Sequence, residues 1–388
     1  MNFKNYSTSD NPDLTARKAW FVFDDEIVAL GAGITGIDPE RTTETIVENK
    51  KINGDNKLVV DGQETAPELG DQEKLTDVQW AWLAGNTDKD AVGYYFPEGS
   101  DVNVLRESRT GKWTDVNGSN GVSEEPVTRN YLSLAIPHGE NVNNNDTLSS
   151  FKNEYYDYVL LPGKTQDEMA AYAENNSIRV LANTTDVQAA ADTALGVYGF
   201  NFWNASGLDL PEGCMMNHVE SDSPVSLTLW NENGDLHIGI ADPTQEGGIV
   251  TVTLLGEGLA VGNARSAGTV TAVEGGIQIQ VNMSELNGAA LNIDATAPAL
   301  EPNPEPQPDP GEKPGQGGSS APSEPQGQTP ADNTAAEPEQ PEAAAPQLVR
   351  QCPRLRTTSP LTALVMALAA SGAAAAGITL LRKKHRKE

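Results

Sequence analysis

The sequence has few cysteines, few histidines and few basic residues for its length. Its 388 residues include two cysteines, four histidines, and 26 Lys and Arg against 55 Asp and Glu. Two cysteines exclude a disulfide-stapled scaffold and a cysteine-rich zinc module. A formal net charge of −29 excludes a basic nucleic-acid-binding protein. The length is sufficient for two or three domains with sizeable cores.

The carboxyl terminus contains a long run without charge or proline. The run extends from Leu361 to Leu381 and is followed directly by the basic residues 382–387. A helix of this length, at about 1.5 Å per residue, is long enough to cross a hydrocarbon layer of about 30 Å. Basic residues next to a span stay on the cytoplasmic side. The pattern predicts a transmembrane helix over 361–381 and a cytoplasmic tail over 382–388; a buried core helix is the alternative.

The region before this run is rich in proline and poor in aliphatic residues. Residues 298–346 hold 13 of the 25 prolines. Such a segment cannot bury enough apolar surface to offset its ordering entropy, so residues 298–360 are predicted to be a disordered spacer. The order of spacer, apolar span and basic end is similar to the sorting tails of Gram-positive surface proteins. The sortase motif Leu-Pro-x-Thr-Gly is missing from residues 348–360. We expect either a plain membrane anchor or a coding sequence altered across these residues.

The amino terminus has no export signal. Residues 1–10 contain no basic segment followed by an apolar run. A body expected on the extracellular face of a bacterial cell therefore lacks its secretory signal peptide. We interpret the chain as the C-terminal part of a longer exported protein.

Residues 15–297 consist mainly of short segments rich in Val, Ile and aromatic residues, separated by polar turns. This pattern predicts an all-β protein built from antiparallel sandwiches. The predicted strands are residues 18–23, 26–34, 44–50, 57–60, 78–83, 92–96, 102–105, 130–136, 155–161, 178–181, 196–202, 225–230, 236–241, 249–255 and 277–283. Thr165 and Glu168 predict the capping box of one helix at a domain joint, and Asn233-Gly234 predicts a tight hairpin.

Seven blocks of residues occur in a recognisable order over about residues 10–295: residues 18–34 (KAWFVFDDEIVALGAGI), 45–49 (TIVEN), 93–97 (GYYFP), 109–113 (RTGKW), 138–139 (HG), 155–162 (YYDYVLLP) and 241–244 (ADPT). In sequence and in order these blocks resemble polysaccharide lyase family 8, which includes hyaluronate, chondroitin AC and xanthan lyases. The resemblance implies that residues 1–163 are part of a large antiparallel supersandwich and that residues 164–297 are a smaller C-terminal β-sandwich.

The family's chemistry is implied to lie outside these blocks. Its lyases cleave uronic-acid glycans by β-elimination, in which an amide or cation neutralises the sugar carboxylate and Tyr with His transfers the protons. The resemblance places those residues on an N-terminal α/α toroid that this chain does not contain. We therefore assign no catalytic, cofactor-binding or metal-binding residue and expect the chain alone to be inactive.

Several residues of this chain could replace the missing catalytic or binding groups, but each also has a simpler structural interpretation. The four histidines are His138, His218, His237 and His385, and they lack the spacing of a metal site. Asp24-Asp25-Glu26 could form a paired-carboxylate site or hold a cation, although a solvated turn explains it as well. Cys214 and Cys352 lie in different segments, which argues against a disulfide. The six tryptophans could stack on sugars, but core packing also explains them; they are Trp20, Trp80, Trp82, Trp113, Trp203 and Trp230.

Three functions remain open. The first is the non-catalytic C-terminal portion of a surface-anchored lyase of uronic-acid glycans such as hyaluronan or chondroitin. The second is a stand-alone carbohydrate-binding or adhesive surface module, and the third is a structural stalk. Residues 1–297 carry 17 basic and 45 acidic side chains. Because this body repels polyanions, we expect weak binding of acidic polysaccharide, attachment to the cell envelope through 361–381, and no nucleic-acid partner.

Overall fold

The computed structural model describes residues 1–5, 14–36, 42–54, 56–119, 121–140, 154–262, 268–284 and 286–298. The expected span at 361–381, the basic tail and nearly all of the spacer lie outside these residues. Within them, no helix is long and apolar enough to cross a membrane.

The described residues form antiparallel strands, one α-helix and two short 3₁₀ helices. The strands before the α-helix are β1 (Asn2–Asn5), β2 (Leu14–Val22), β3 (Ile27–Gly36), β4 (Thr42–Ile52), β5 (Leu58–Val60), β6 (Gln63–Thr65), β7 (Gln72–Leu83), β8 (Val92–Gly111), β9 (Val127–Glu140) and β10 (Glu154–Pro162). The α-helix is α1 (Gln166–Glu174), and the 3₁₀ helices are Asp88–Asp90 and Trp113–Asp115.

The strands after α1 are shorter. They are β11 (Ile178–Asn183), β12 (Val187–Asp192), β13 (Val197–Phe202), β14 (Ser206–Asp209), β15 (His218–Ser221), β16 (Val225–Glu232), β17 (Asp235–Ala241), β18 (Ile249–Leu255), β19 (Ala260–Val261), β20 (Thr269–Val273), β21 (Gly276–Asn282) and β22 (Leu291–Thr296). The predicted all-β class is confirmed.

The first ten strands form one sheet that folds over on itself. Its main path is β1-β2-β3-β10-β8-β7-β5-β6, and β9 joins β8 to β4. The start of β8 pairs with β10, whereas its end pairs with β9. Two layers therefore face each other across one core, in which Tyr94 and Phe96 of the first layer lie in the same apolar cluster as Val104 and Leu134 of the second.

β8 is the strand that connects the two layers. The sequence pattern predicts two strands here, residues 92–96 and 102–105, and this division is wrong. The structure has one strand of 20 residues. Gly99 takes a φ of 74°, which glycine adopts without steric cost, and the β7–β8 register shifts nearby. The strand bends there instead of ending.

The first layer is covered on both faces. In β3, five consecutive residues from Val28 to Ala32 are buried. The other face of β3, which points away from the core between the two layers, packs with Met169 of α1 and with Val197 of the second sandwich. Burial on both faces explains why β3 has an almost uninterrupted apolar sequence rather than an alternating one.

Helix α1 begins where its capping residues predicted. The Thr165 backbone N–H donates to Glu168 Oε2 over 2.8 Å, and the Glu168 N–H donates to Thr165 Oγ1 over 3.3 Å. The predicted capping box is confirmed. Sheet pairing of the first ten strands ends at Pro162 and that of the second group begins at Ile178. The domain boundary after Gly163 remains a prediction.

The second group of strands forms a sandwich of two sheets. The seven-stranded sheet has the order β11-β12-β13-β16-β17-β22-β19, and the five-stranded sheet has the order β14-β15-β18-β21-β20. Their facing residues form a single apolar cluster. The predicted hairpin joins β16 to β17, where Asn233 and Gly234 have φ values of 55° and 99°.

Strand β12 was missed by the sequence analysis. Its sequence, Val187-Gln188-Ala189-Ala190-Ala191-Asp192, is rich in alanine, which has a low β propensity. All six residues are nevertheless buried, because β12 lies between β11 and β13 and is covered on both faces. Tertiary packing decides the conformation here.

Candidate functional site

The second layer of the first sandwich presents a polar outer face. Along β8, Val102, Val104 and Arg106 are buried, whereas the intervening residues are partly exposed. Successive residues of a strand point to opposite faces of the sheet. Three cross-strand rows therefore lie at one end of the outer face: Asn49–Ser133–Leu105, Lys51–Tyr131–Glu107 and Arg129–Arg109. We call these residues, together with Lys112 and Trp113, the Arg109 surface.

Arg109 is held rigidly within this surface. Its Nε donates to Glu107 Oε1 over 2.7 Å, Nη1 donates to Asn49 Oδ1 over 2.9 Å, and Nη2 donates to Ser133 Oγ over 3.2 Å. The guanidinium carbon lies 4.6 Å from the centre of the Tyr131 ring. Three hydrogen bonds and a cation–π contact therefore hold the planar guanidinium group in a single orientation.

Four basic side chains are grouped on this surface of an acidic chain. Besides Arg109 they are Lys51, Lys112 and Arg129, which are exposed. Glu107 is bound to Arg109, and the Asp115 carboxylate accepts from the Lys112 backbone N–H over 2.8 Å. Further acids lie at the opposite end of this face, at Glu44 and Asp101, and in the connection to β9, at residues 124 and 125. The surface therefore carries several cations with acids nearby, and Arg129, Lys51 and Lys112 have no ion pair among the described residues.

Trp113 extends this surface with an exposed aromatic ring. It lies two residues after the end of β8 and is 61% exposed. Of the two interpretations of the tryptophans, core packing is wrong for Trp113, because β8 ends at Gly111 and the following turn lies on the surface. The ring lies four residues after Arg109 in the chain and offers an exposed apolar face.

Trp20 is the second tryptophan for which core packing is wrong. It is 47% exposed and lines a groove between β2 and the seven-stranded sheet, with a volume of about 420 Å³ including its open mouth. Asn201, Ser226 and Thr228 also line this groove, and none of its lining residues is charged. The groove does not offer a cation to an acidic ligand.

The other tryptophans have structural contacts. Trp80 is buried, Trp82 Nε1 donates to the Lys164 carbonyl over 2.8 Å, and Trp203 Nε1 donates to Gln188 Oε1 over 3.1 Å. Trp230 stacks on His237 with ring centres 4.8 Å apart. Core or interface packing is confirmed for these residues.

The three histidines of the sandwiches are far apart in the sheet topology, and each has a partner. His138 Nε2 lies 2.8 Å from Thr45 Oγ1 in the buried region between β4 and β9. His218 Nδ1 lies 2.6 Å from Asp209 Oδ1, and His237 Nδ1 lies 2.9 Å from Asp294 Oδ1. No serine or cysteine of the described residues completes a triad on His218 or His237. His385 lies outside the described residues.

No group of three or more His, Cys, Asp or Glu side chains within the described ranges is arranged to hold a metal ion. Cys214 is a half-buried free thiol, and burial raises its pKa. Its relation to Cys352 stays untested because Cys352 lies outside the described residues.

Asp24-Asp25-Glu26 forms the turn between β2 and β3. Asp24 and Asp25 are exposed, and the Asp25 carboxylate is paired with the Lys164 ammonium at 2.7 Å. Burial raises the pKa of Glu26, and the hydrogen bond from the Asp25 backbone N–H opposes that rise. Asp24 and Asp25 therefore lie in a solvated turn, as one of the two interpretations predicts, whereas Glu26 is partly buried.

The Arg109 surface was not predicted as a site. The block Arg109-Thr110-Gly111-Lys112-Trp113 was used only for a resemblance. Two segments, residues 103–109 and 131–133, contribute to it, but the first has no clean polar alternation, because Leu105 points outward and Arg106 is buried. Sequence reasoning could not combine them, because the β8–β9 register that places Arg109 opposite Arg129 is a tertiary feature.

Comparison with protein-family profiles gives two matches in chain order. Residues 1–173 match the super-sandwich domain of polysaccharide lyase family 8. Residues 179–251 match the C-terminal β-sandwich domain of the same family.

Three curated relatives are named as lyases of this kind. The xanthan lyase of Bacillus sp. (strain GL1) is 36% identical over 288 residues, which are 72% of this chain and 29% of the relative. The hyaluronate lyase of Thermasporomyces composti is 32% identical, over 62% of this chain and 28% of the relative. The chondroitinase-AC of Pedobacter heparinus is 33% identical, over 61% of this chain and 30% of the relative.

Solved structures agree with the sequence comparisons. The structure of a Paenibacillus xanthan lyase matches with a TM-score of 0.67 and 34% identity, covering 80% of this chain and 28% of that one. The chondroitin AC lyase of Streptomyces coelicolor A3, in complex with chondroitin sulphate, matches with a TM-score of 0.56 and 25% identity, covering 73% and 33%. The chain thus spans about a third or less of the length of these relatives.

Proposed function

Since this chain belongs to polysaccharide lyase family 8, we propose that it is the non-catalytic C-terminal portion of a surface-anchored lyase that cleaves uronic-acid glycans of the hyaluronan or chondroitin type by β-elimination. The observation that carries the proposal is that the profiles of the family's super-sandwich and C-terminal sandwich domains match consecutive parts of the chain. In addition, the matched part of the chain covers only 29% of the length of the Bacillus xanthan lyase.

The arrangement of ionisable side chains supports the absence of catalysis by this portion. β-Elimination needs a neutralised sugar carboxylate and a base within hydrogen-bonding reach of the neighbouring proton. His138 lies in the interior with Thr45, and His218 and His237 are bound to carboxylates. The fixed cation Arg109 lies in cross-strand rows that contain no histidine. Here the sandwiches act as a scaffold for a catalytic part supplied elsewhere.

Attachment to the cell envelope is a further part of the proposal. It rests on the apolar residues 361–381 and the basic residues that follow them. The proposed partners are an acidic polysaccharide, bound weakly by these sandwiches, and the envelope itself. Nucleic acid is not a proposed partner because the chain has a formal net charge of −29.

The lyase assay tests the catalytic part of the proposal. The full chain is incubated separately with hyaluronan, chondroitin and xanthan, and the ultraviolet absorbance of unsaturated uronate products is followed. We expect no product above the buffer control, while a complete family member in the same assay produces a steady rise. A steady rise with the purified chain would show that these sandwiches are catalytic by themselves and would overturn the proposal.

A stand-alone carbohydrate-binding or adhesive module is the second candidate function. The fixed cation Arg109 and the exposed Trp113, four residues further along the chain, favour it, because exposed aromatic rings and cations can bind sugars without cleaving them. A glycan array separates the two functions. Tight binding of many glycans by this chain alone favours the adhesive module, whereas weak binding restricted to acidic glycans favours the lyase portion.

A further inference from the structure

The Arg109 surface contains a like-charge pair that the fold does not need. Arg109 and Arg129 are directly opposite each other in the antiparallel pair of β8 and β9. Like charges at such positions destabilise a sheet. The Glu107 carboxylate compensates the charge of Arg109, which leaves Arg129 as the uncompensated member of the pair, and an uncompensated local conflict is expected at a functional position. Arg129 has no carboxylate partner among the described residues; its Nη1 donates to the neighbouring Thr128 carbonyl over 2.7 Å.

The neighbouring cations are equally available. Lys51 lies opposite Tyr131 in the β4–β9 pair and is exposed. Lys112 follows β8 and is also exposed. Neither ammonium group is paired with a carboxylate within the described ranges. The surface therefore has three uncommitted cations: Arg129 on the strand next to Arg109, Lys51 two strands from it, and Lys112 just after the end of β8. Adjacent strands lie about 4.8 Å apart.

The aromatic and polar groups of this surface suit a sugar chain. The exposed indole of Trp113 can cover the apolar face of a sugar ring. The Arg109 guanidinium is held in place by Asn49, Ser133 and Glu107 before any ligand arrives, so little side-chain entropy is lost on binding. Two of its five N–H groups remain for a ligand.

The acidic net charge of the sandwiches favours a ligand whose negative charges are widely spaced. Double-stranded nucleic acid carries about one charge per 1.7 Å and would be repelled by the acidic body. Residues 1–297 have 45 acidic against 17 basic side chains. A glycan with one carboxylate on every second sugar needs only a few cations and has uncharged rings between them. The acids at the far end of the face, Glu44 and Asp101, limit the length of the chain that can lie here.

We propose that the Arg109 surface is an accessory binding site for a carboxylated glycan chain, with Arg109, Arg129 and Lys51 contacting the carboxylates and Trp113 covering a sugar ring. The inference rests on the proposed function only for the identity of the glycan. In this role the super-sandwich portion binds the glycan chain at a surface that takes no part in its cleavage.

The experiment is affinity electrophoresis of the full chain through gels that contain hyaluronan, compared with gels that contain none. Arg129→Ala, Lys51→Ala and Trp113→Ala are tested, with Arg179→Ala as the matched control. Arg179 is an exposed arginine of the second sandwich that donates only to backbone carbonyls, as Arg129 does. Arg129→Ala and Arg179→Ala therefore change the net charge equally.

We expect hyaluronan to retard the wild-type chain, and each surface variant to bind about threefold to tenfold more weakly, as for the loss of one charge contact or one stacked ring. Arg179→Ala should be retarded like the wild type, and salt should weaken the retardation. The site is refuted if the wild type is not retarded, if Arg179→Ala binds as weakly as Arg129→Ala, or if a single-stranded oligonucleotide of equal charge retards the chain as strongly. Product formation is measured separately, so failure of the lyase proposal and failure of this site are distinguishable.

Discussion

Two tyrosines in the interior of the first sandwich have raised pKa values. Tyr94 donates from its hydroxyl to Glu48 Oε2 over 2.6 Å, and burial raises its pKa well above the usual value. Burial likewise raises the pKa of Tyr158 to about 12, with a smaller contribution from the Glu48 carboxylate. These phenols therefore stay protonated to higher pH than exposed tyrosines do. The cations of the Arg109 surface lie on the solvent-facing side of the second layer.

Asp157 is the residue for which a pH effect can be predicted. It is 8% exposed on β10, and burial, with a smaller effect of Glu98, raises its pKa to about 6. In the unfolded chain the Asp157 carboxyl has a pKa of about 3.9. Because the folded state holds this proton more tightly, the carboxyl does not penalise folding below about pH 4. The penalty grows as pH rises and is complete above about pH 6 to 7.

We expect Asp157→Asn to remove this penalty. The free energy of unfolding of the variant should exceed that of the wild type by about 1 to 3 kcal/mol at pH 8, with a much smaller gain at pH 4. Urea denaturation at the two pH values measures the difference. Asp186→Asn, at an exposed aspartate, should change stability little at either pH. A gain for Asp157→Asn that is equal at both pH values would contradict the role of the ionised carboxylate.

At the scale of strands, the pairing of β3 with β10 depends on a glycine next to an aromatic ring. Gly31 is opposite Tyr156. A Cβ atom at residue 31 would lie 2.0 Å from Tyr156 Cε1, far closer than carbon atoms approach each other. The Tyr156 ring itself stacks on Tyr158 with centres 5.6 Å apart, so it has little room to move. The apolar run of β3 needs this glycine for packing, not for backbone conformation.

Gly31→Ala should therefore destabilise the first sandwich. Displacement of a packed ring typically costs about 1 to 3 kcal/mol of unfolding free energy. Gly118→Ala is the control, since no atom lies within 4 Å of the added methyl group there. Thermal unfolding of both variants measures the effect. A Gly31→Ala variant as stable as Gly118→Ala would mean that the Tyr156 ring moves aside without cost.

At the scale of the whole molecule, the chain combines an acidic folded body with a basic terminal segment. Residues 1–297 have 45 acidic and 17 basic side chains, whereas residues 382–387 are basic throughout. If this terminal segment anchors the chain at an anionic membrane surface, charge repulsion would keep the acidic sandwiches away from that surface. The proline-rich spacer would let the sandwiches extend away from the anchor. The proposed envelope attachment would therefore hold the sandwiches away from the membrane surface.

The anchor can be tested with one substitution in the full chain. Leu368→Arg places a charge near the middle of residues 361–381, at a cost of about 2.5 to 3.5 kcal/mol for insertion. Because the span is Ala-rich and only mildly hydrophobic, we expect the variant to lose most of its association with phospholipid vesicles in a flotation assay, while Leu368→Ile floats with the wild type. Equal flotation of Leu368→Arg and the wild type would remove the span as the anchor.

The sequence by itself determined the all-β class, the family, the capped helix at Thr165 and the hairpin at Asn233-Gly234. These features depend on local periodicity, on capping and turn chemistry, or on blocks of adjacent residues, which are all contained in short segments. Only the tertiary structure decided that β8 is one bent strand joining two layers, that the alanines of β12 are a buried strand, and that Arg109 faces Arg129 and Lys51 lies beside Tyr131. Each of these depends on the register between distant strands, and the free energy that fixes a register comes from burial across the whole sheet rather than from any one segment.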